Sequence, residues 1–385
     1  MLLRPDMAVI GATARQVGKT TFACEVICRQ SGRSAVVAIK ITTVQDHEGS
    51  CPRGGSGCGA CAGFTGPYCI TEENAGPPGK DTTRLLAAGA ARVFWLRVRR
   101  DHLAEGLAEL LRRIPPGVAI VCESNSVRHV VEPGVFLVIA APKGTEVKPS
   151  CAEVMPLADR VIRSDGRGWD RPASDLTFAA GRWLLRQTAT AIILAGGQSR
   201  RMGTDKSLLP LDGQPLIQHI ARQLEPLFDQ VLIGANRPEK YAFMQLPVVP
   251  DEEPDQGPLM GILSCVSASA HELNFVTACD IPHPDLGFVL ELLKASDGYD
   301  IVMPVSANGR HEPLFAVYRK TMLPLARRVL RRGGRRITEL FESAQVRFVD
   351  LPAADWYRNL NTPEDYRRAI EPAAEPSGRT CGDVC

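Results

Sequence analysis

The sequence predicts an α/β protein of two doubly wound units, each a mostly parallel sheet with helices on its faces. Short apolar runs alternate with amphipathic helical stretches along most of the chain. The 385 residues exceed what one hydrophobic core usually serves. A glycine- and lysine-containing loop follows an apolar run twice, as GATARQVGKTT near the N-terminus and as LAGGQSRRMGTDK from Leu194 to Lys206.

In the first half, Met7 to Ile10 reads as a strand, the first loop follows, and TFACEVICRQ reads as a helix. SAVVAIKI is a buried strand. Residues 49–80 change character to Gly, Pro and Cys without apolar periodicity, which predicts a long irregular insertion. Order returns with DTTRLLAAGAA (helix), RVFWLRV (strand), HLAEGLAELLRRI (helix), VAIVCES (strand) and VFLVIAAP (strand). Within SDGRGWDRPAS lies a predicted boundary, and LTFAAGRWLLRQ reads as a helix-like joint. The expected domains are 1–170 and 188–372, with a linker over 171–187 and a flexible tail over 373–385.

In the second half the alternation restarts with TAIILAGG, LIQHIARQLEPL and QVLIGAN. A Pro- and Asp-rich turn leads to GPLMGILSCVSAS, ELNFVTACD, DLGFVLELLKAS, YDIVMPV and PLFAVYR. Apolar residues make up 44% of the chain, charged residues 23%, and the net charge is +2. These values describe a soluble globular protein and give no reason to expect a nucleic-acid or membrane surface. With no export signal and no run long enough to span a bilayer, the expected location is the cytoplasm. There the twelve cysteines are not a disulfide framework. Cys24, Cys28, Cys122, Cys151, Cys265 and Cys279 sit in apolar surroundings and are expected in the core.

The chemistry concentrates at the two loops. A strand ending in Gly196-Gly197 lets backbone N–H groups approach phosphate oxygens, and Arg201 and Lys206 add positive charge. Asp280 ends the run FVTACD at the carboxyl edge of a sheet, a position suited to Mg²⁺, although a helix N-cap before Pro282 is the competing role. In the first loop, Gly18, Lys19 and Thr20 fit the Walker A pattern, with Lys19 directed at phosphates and Thr20 at Mg²⁺. The first glycine of that pattern is replaced by Thr13, and Gly11 lies two residues early. Cys51, Cys58, Cys61 and Cys69, spaced C-x6-C-x2-C-x7-C, would hold zinc or an iron–sulfur cluster.

At the second loop the pattern L-A-G-G-x-S-x-R-M-G-x-D-K resembles the signature of molybdenum cofactor guanylyltransferases. IGANR, PDEEPDQGPLMGI, TACDIP, GRHEPLFAVY and NLNTPEDY resemble that family's later motifs in the same order, over roughly residues 188–370. Met260 stands where the family more often has Ala. The resemblance implies a nucleotidyltransferase (GT-A-like) domain with nucleotide contacts at Leu194, Ala195, Gly196, Gly197, Lys206, Asn236, Asp251 and Asp280. Arg201, Lys206 and Asp280 would be catalytic, with Mg²⁺ at Asp280. The implied reaction transfers GMP from GTP to molybdenum-molybdopterin. Cytidylyl transfer is the alternative within the class, and Gly197 favours GTP because the cytidylyl enzymes resemble L-A-A-G.

VVAIKITTVQDHEG, PGKDTTRLLAAGAARVFWL and VAIVCESNS resemble the P-loop adapter protein of molybdopterin-guanine dinucleotide biosynthesis, over roughly residues 5–145. That resemblance implies an N-terminal P-loop NTPase-like, Rossmann-like domain, with molybdoenzymes or their chaperones as further partners. A different class of function follows if the whole chain is a nucleotide-gated adapter that delivers cofactor to an apo-enzyme.

Overall fold

A computed structural model of the chain describes residues 1–44, 66–74, 79–142, 144–164, 168–196, 205–353, 360 and 362–370. It divides into two compact units, Met1–Arg186 and Gln187–Cys385.

The first unit is built on a seven-stranded sheet. Its strands are β1 (Leu2–Ala12), β2 (Val36–Val44), β3 (Tyr68–Glu72), β4 (Arg92–Arg99), β5 (Ala119–Glu123), β6 (Val131–Ala140) and β7 (Arg160–Arg163). Their order is β3-β4-β2-β5-β1-β6-β7. All neighbours run parallel except the edge pair β3–β4. Strand β1 shows why its sequence is apolar without a break: it buries both faces. Ala8 and Ile10 pack on α1 (Lys19–Ser31) through Phe22, Val26 and Ile27. Met7 and Val9 join the opposite layer with Leu103, Leu107 and Leu110 of α3 (Leu103–Leu111). Helices α2 (Asp81–Ala87) and α4 (Pro149–Ala152) complete the unit.

Two expectations change here. The expected irregular insertion yields an ordered piece, because Tyr68 to Glu72 pairs with Val98 to Phe94 as β3. The stretch read as a helix-like joint is a ribbon of β8 (Leu176–Ala179) and β9 (Arg182–Leu185). Its turn places Ala180 and Gly181 at φ of 49° and 73°, a conformation a helix cannot continue. Trp183 is fully buried beneath it, its indole N–H donating to the Ile120 carbonyl at 2.9 Å. Residues 171–186 therefore belong to the first unit rather than to a free linker.

The second unit carries another seven-stranded sheet. Its strands are β10 (Gln187–Leu194), β13 (Phe228–Gly234), β14 (Val248–Val249), β15 (Leu273–Ala278), β16 (Ile301–Val305), β17 (Phe315–Arg319) and β18 (Val346–Asp350). A small ribbon of β11 (Pro210–Leu211) and β12 (Gln214–Pro215) follows the mid-chain loop. The sheet order is β14-β13-β10-β15-β17-β16-β18, with β17 antiparallel to both neighbours. The helices are α5 (Leu216–Leu224), α6 (Pro258–Ala268), α7 (Leu286–Lys294), α8 (Leu323–Arg331) and α9 (Pro363–Ile370). After β10 the chain moves outward to β13 and β14, then returns to the other side of β10 as β15. The strand order reverses there, which opens a crevice at the carboxyl ends of β10 and β15.

Of the cysteines expected in the core, Cys122, Cys151 and Cys265 are buried and Cys24 and Cys279 half-buried, whereas Cys28 is exposed on the outer side of α1. Among the described residues, no helix is long and apolar enough to cross a membrane.

Candidate active site

The crevice of the second unit is assembled from the ends of β10, β13 and β15. Leu194 ends β10, and its carbonyl accepts from Cys279 N–H at 3.1 Å, tying β10 to the tip of β15. Ala195 N–H donates to the Gly234 carbonyl at 2.9 Å, tying β10 to β13. A methyl group on Gly234 would lie 2.6 Å from Leu194 Cδ2 and 2.8 Å from Cys265 Sγ, so only glycine lets the strands and α6 close this tightly. Gly196 is exposed, and among the described residues a methyl there would meet nothing nearer than 3.9 Å. Gly197 and Arg201 lie outside the described residues.

After the loop the chain re-enters at Asp205, whose carboxylate accepts from the backbone N–H of Ser207 at 3.1 Å and from its hydroxyl at 2.7 Å. Lys206 lies on the same turn, near enough to the tip of β15 for its ammonium to act on Asp280. Asp280, two residues past that strand, is the acid found there. Burial pushes its carboxyl up from the ordinary range, and the Lys206 ammonium opposes that rise without cancelling it. Burial and the neighbouring Asp280 push the Cys279 thiol up to about 12, so it stays protonated. The N-cap role considered for Asp280 falls instead to Asp285, whose carboxylate accepts from the N–H groups of Gly287 and Phe288 at the start of α7.

Asn236 and Asp251 come together as a clasp. The Asn236 amide donates to Asp251 Oδ2 at 2.9 Å, and its oxygen accepts from Asp251 N–H at 2.7 Å. A Cβ on Gly261 would come within 3.3 Å of Asp251 Oδ1, so the glycine clears that side of the carboxylate.

Sequence reasoning missed Lys240 and Tyr241, on the helical turn Pro238–Met244. The Lys240 ammonium pairs with Asp205 and lies 3.4 Å from Ser207 Oγ. The Tyr241 hydroxyl meets Ser207 Oγ at 3.0 Å and donates to the Ala195 carbonyl at 3.3 Å. Together they fix the two ends of the mid-chain loop. A Lys-Tyr pair in a Pro-led turn carries no periodic signal, and only the tertiary fold brings it to the loop.

In the first unit, Gly18 takes a φ of 87° and lies so close to the Trp169 ring that a Cβ would come within 2.7 Å of it. Lys19 and Thr20 open α1. Thr13, at the position of the missing glycine, is buried and bonded to the end of β6. Its N–H donates to the Ile139 carbonyl, and its hydroxyl accepts from Ala141 N–H. Glu123, at the tip of β5, is fully buried, with Lys19 Nζ at 3.9 Å and Lys40 Nζ at 4.0 Å. Among the described residues, neither of its carboxylate oxygens has a hydrogen-bond partner. Asp81 joins the group. Burial acts to raise its carboxyl, but the Lys40 pair and the Thr20 hydroxyl outweigh this and hold it below the ordinary range.

Cys51, Cys58 and Cys61 lie outside the described residues. Cys69 sits on β3, its Sγ accepting from Arg97 at 3.3 Å. Among the described residues, no cluster of three His, Cys, Asp or Glu side chains is arranged for a metal ion, so the zinc or iron–sulfur expectation finds no support there.

Comparison with known proteins bears on the second unit. Residues 191–347 match the family model of the MobA-like NTP transferase domain. A probable molybdenum cofactor guanylyltransferase from Carboxydothermus hydrogenoformans is 34% identical over 192 residues, 48% of this chain and 96% of its own length. The molybdenum cofactor guanylyltransferase of Vibrio cholerae is 36% identical over 178 residues, 45% of this chain and 87% of that protein. The chain belongs to the molybdenum cofactor guanylyltransferase family. It is a nucleotidyltransferase. Among solved structures, molybdopterin-guanine dinucleotide biosynthesis protein A from Archaeoglobus fulgidus is 24% identical, with a TM-score of 0.42, over 47% of this chain and 96% of that one. In this guanylyltransferase-family unit, the matched span holds Leu194 at the end of β10, Lys206 on the turn after the loop, and Asn236, Asp251 and Asp280 two residues past the ends of β13, β14 and β15.

Proposed function

We propose that the second unit transfers GMP from GTP to molybdenum-molybdopterin, giving molybdopterin guanine dinucleotide and pyrophosphate. The observation that carries this reading is the bond from Cys279 N–H to the Leu194 carbonyl, which brings the half-buried Asp280 at the tip of β15 to the start of the glycine loop after β10. The names of the relatives support GTP and molybdopterin as the substrate pair.

The loop that opens at Gly196, just past the sheet-bonded Leu194 and Ala195, would receive the triphosphate, with Arg201 and Lys206 neutralising it. The Asn236–Asp251 clasp would offer ribose and base a fixed polar edge. Asp280 suits a magnesium ion, since it sets a half-buried carboxylate, a hard oxygen donor, past the strand tip that is tied to the start of the glycine loop. When bound, such an ion neutralises charge on the phosphates. The terminal phosphate oxygen of the pterin attacks the α-phosphorus in line. One P–O bond forms, the bond to the β-phosphate breaks, and pyrophosphate leaves with that electron pair. The nucleophile is already anionic at neutral pH, so no side chain need act as its base. Lys206 and Arg201 then act by position and charge.

For the first unit we infer a nucleotide-binding adapter role, with Lys19 on the phosphates and Thr20 on Mg²⁺. The buried Glu123 carboxylate supports this, since its two oxygens, without a hydrogen bond among the described residues, suit an ordered water at the strand tip beside Lys19. Molybdoenzymes or their chaperones are the corresponding partners.

The test is pyrophosphate release from each nucleoside triphosphate with Mg²⁺ and molybdopterin. Release from GTP alone is expected. Release from CTP and not GTP would overturn the guanylyl assignment, and none from any nucleotide would leave the adapter reading for the whole chain.

A further inference from the structure

We propose that His311, Phe341 and Phe348 form an aromatic platform for the planar heterocycle of the acceptor, a deepening that rests on the acceptor assignment above. The three rings pack on one another. His311 lies 5.2 Å from Phe341 at 86°, and 5.2 Å from Phe348 at 31°. Phe341 and Phe348 are 5.6 Å apart at 80°. Phe341 is anchored against the apolar core of the unit, whereas Phe348 is 50% exposed. The trio is therefore rigid on one side and wet on the other, as a stacking surface has to be.

Topology puts it at the reacting edge. Leu314 just before β17 accepts from Ala278 N–H at the tip of β15, so the segment holding His311 arrives beside Asp280. His311 bridges to Val305 at the end of β16, and Phe348 of β18 pairs with Met303 of the parallel strand β16. From β15 the order is β17, β16, β18. Two to three strand spacings correspond to about 10–14 Å. A phosphate at Asp280 and a ring system at the trio would thus be the two ends of one extended molecule.

Charge agrees. Arg310 precedes His311 and pairs with Glu312 at 3.4 Å. Arg335 and Arg336 open the turn Ile337–Glu342 that carries Phe341. Arg335 also donates to the Asp255 carbonyl at 3.3 Å, and so links the platform to the segment that follows Asp251. Arginines on the segments that carry the rings suit a flat heterocycle that also carries phosphate and dithiolate charge.

The test uses the full chain and two variants. Phe348→Leu keeps apolar bulk without a ring, and Phe348→Tyr keeps the ring. Binding is read by quenching of molybdopterin fluorescence in the absence of nucleotide. Turnover is read as KM for molybdopterin and for GTP in the pyrophosphate assay. Phe348→Leu is expected to weaken molybdopterin binding and raise its KM about tenfold, the scale of one stacking contact. Phe348→Tyr stays within about twofold, and KM for GTP is unchanged in both. Unchanged molybdopterin binding by Phe348→Leu, or an equal change for both substrates, would overturn the platform. A wild-type chain that quenches the pterin yet releases no pyrophosphate would overturn the transfer reading and leave the platform standing.

Discussion

Each unit sets an acid at the tip of a central strand beside a loop with lysine, and the two acids are handled differently. Glu123 is wholly buried between Lys19 and Lys40, with its counter-charges built into the fold. Asp280 is half-buried, and Lys206 compensates it only in part, so its charge remains disfavoured by burial. A carboxylate neutralised in advance suits a site that holds and senses a ligand. One left under-compensated gains most when ligand charge arrives, which is what a reacting centre needs.

The largest effect expected is at Asp280. Asp280→Asn should lower transfer by on the order of 10²–10³, the usual cost of losing one electrostatic stabiliser. The same change should raise the midpoint of thermal unfolding of the ligand-free protein. A carboxyl whose folded pKa is raised contributes stability below its ordinary value of about 3.9, and that contribution is lost as pH rises through the folded value. The gain of the asparagine variant over wild type should therefore be absent in acid and grow toward neutrality. Melts at several pH values check the sign, and retained activity would break the comparison outright.

Lys19→Ala probes the other acid. Binding of a fluorescent GTP analogue by the first unit should be lost while pyrophosphate release is unchanged. Loss of both would end the proposed division of labour. Gly18→Ala should destabilise the first unit by about 1–2 kcal/mol, because alanine tolerates a left-handed conformation poorly and its methyl would press on Trp169. Urea unfolding followed by tryptophan emission measures this. The smallest effect belongs to Lys240→Met, which removes the partner of Asp205 without touching the backbone. A rise of up to about fivefold in KM for GTP is expected, the scale of one partly exposed ion pair.

Much of this arrangement was legible beforehand where burial and periodicity coincide. The runs AIIL, NFVTA and VAIVCE announced central strands because both faces are buried, and their ends located Asp280 and Glu123. The Asn-Arg turn and the Asp251 segment were legible as motifs, but not their mutual clasp, which joins residues on two different elements. The ribbon around Trp183 was misread because LTFAAGRWLL carries apolar residues that satisfy helical and strand spacing alike, and Ala180 gives no hint of positive φ. Thr13 was visible as a departure from the Walker pattern. That it is bonded to β6 depends on a strand more than a hundred residues away. Lys240 and Tyr241 were silent for the same reason.

That ribbon has a practical consequence for anyone wishing to produce the halves as separate polypeptides. A cut placed near residue 170, where composition invites it, would strip Trp183 from the first half and expose the layer it seals. A cut between Arg186 and Gln187 spares both sheets, so the expression boundary belongs at the start of β10 rather than at the glycine-rich stretch upstream.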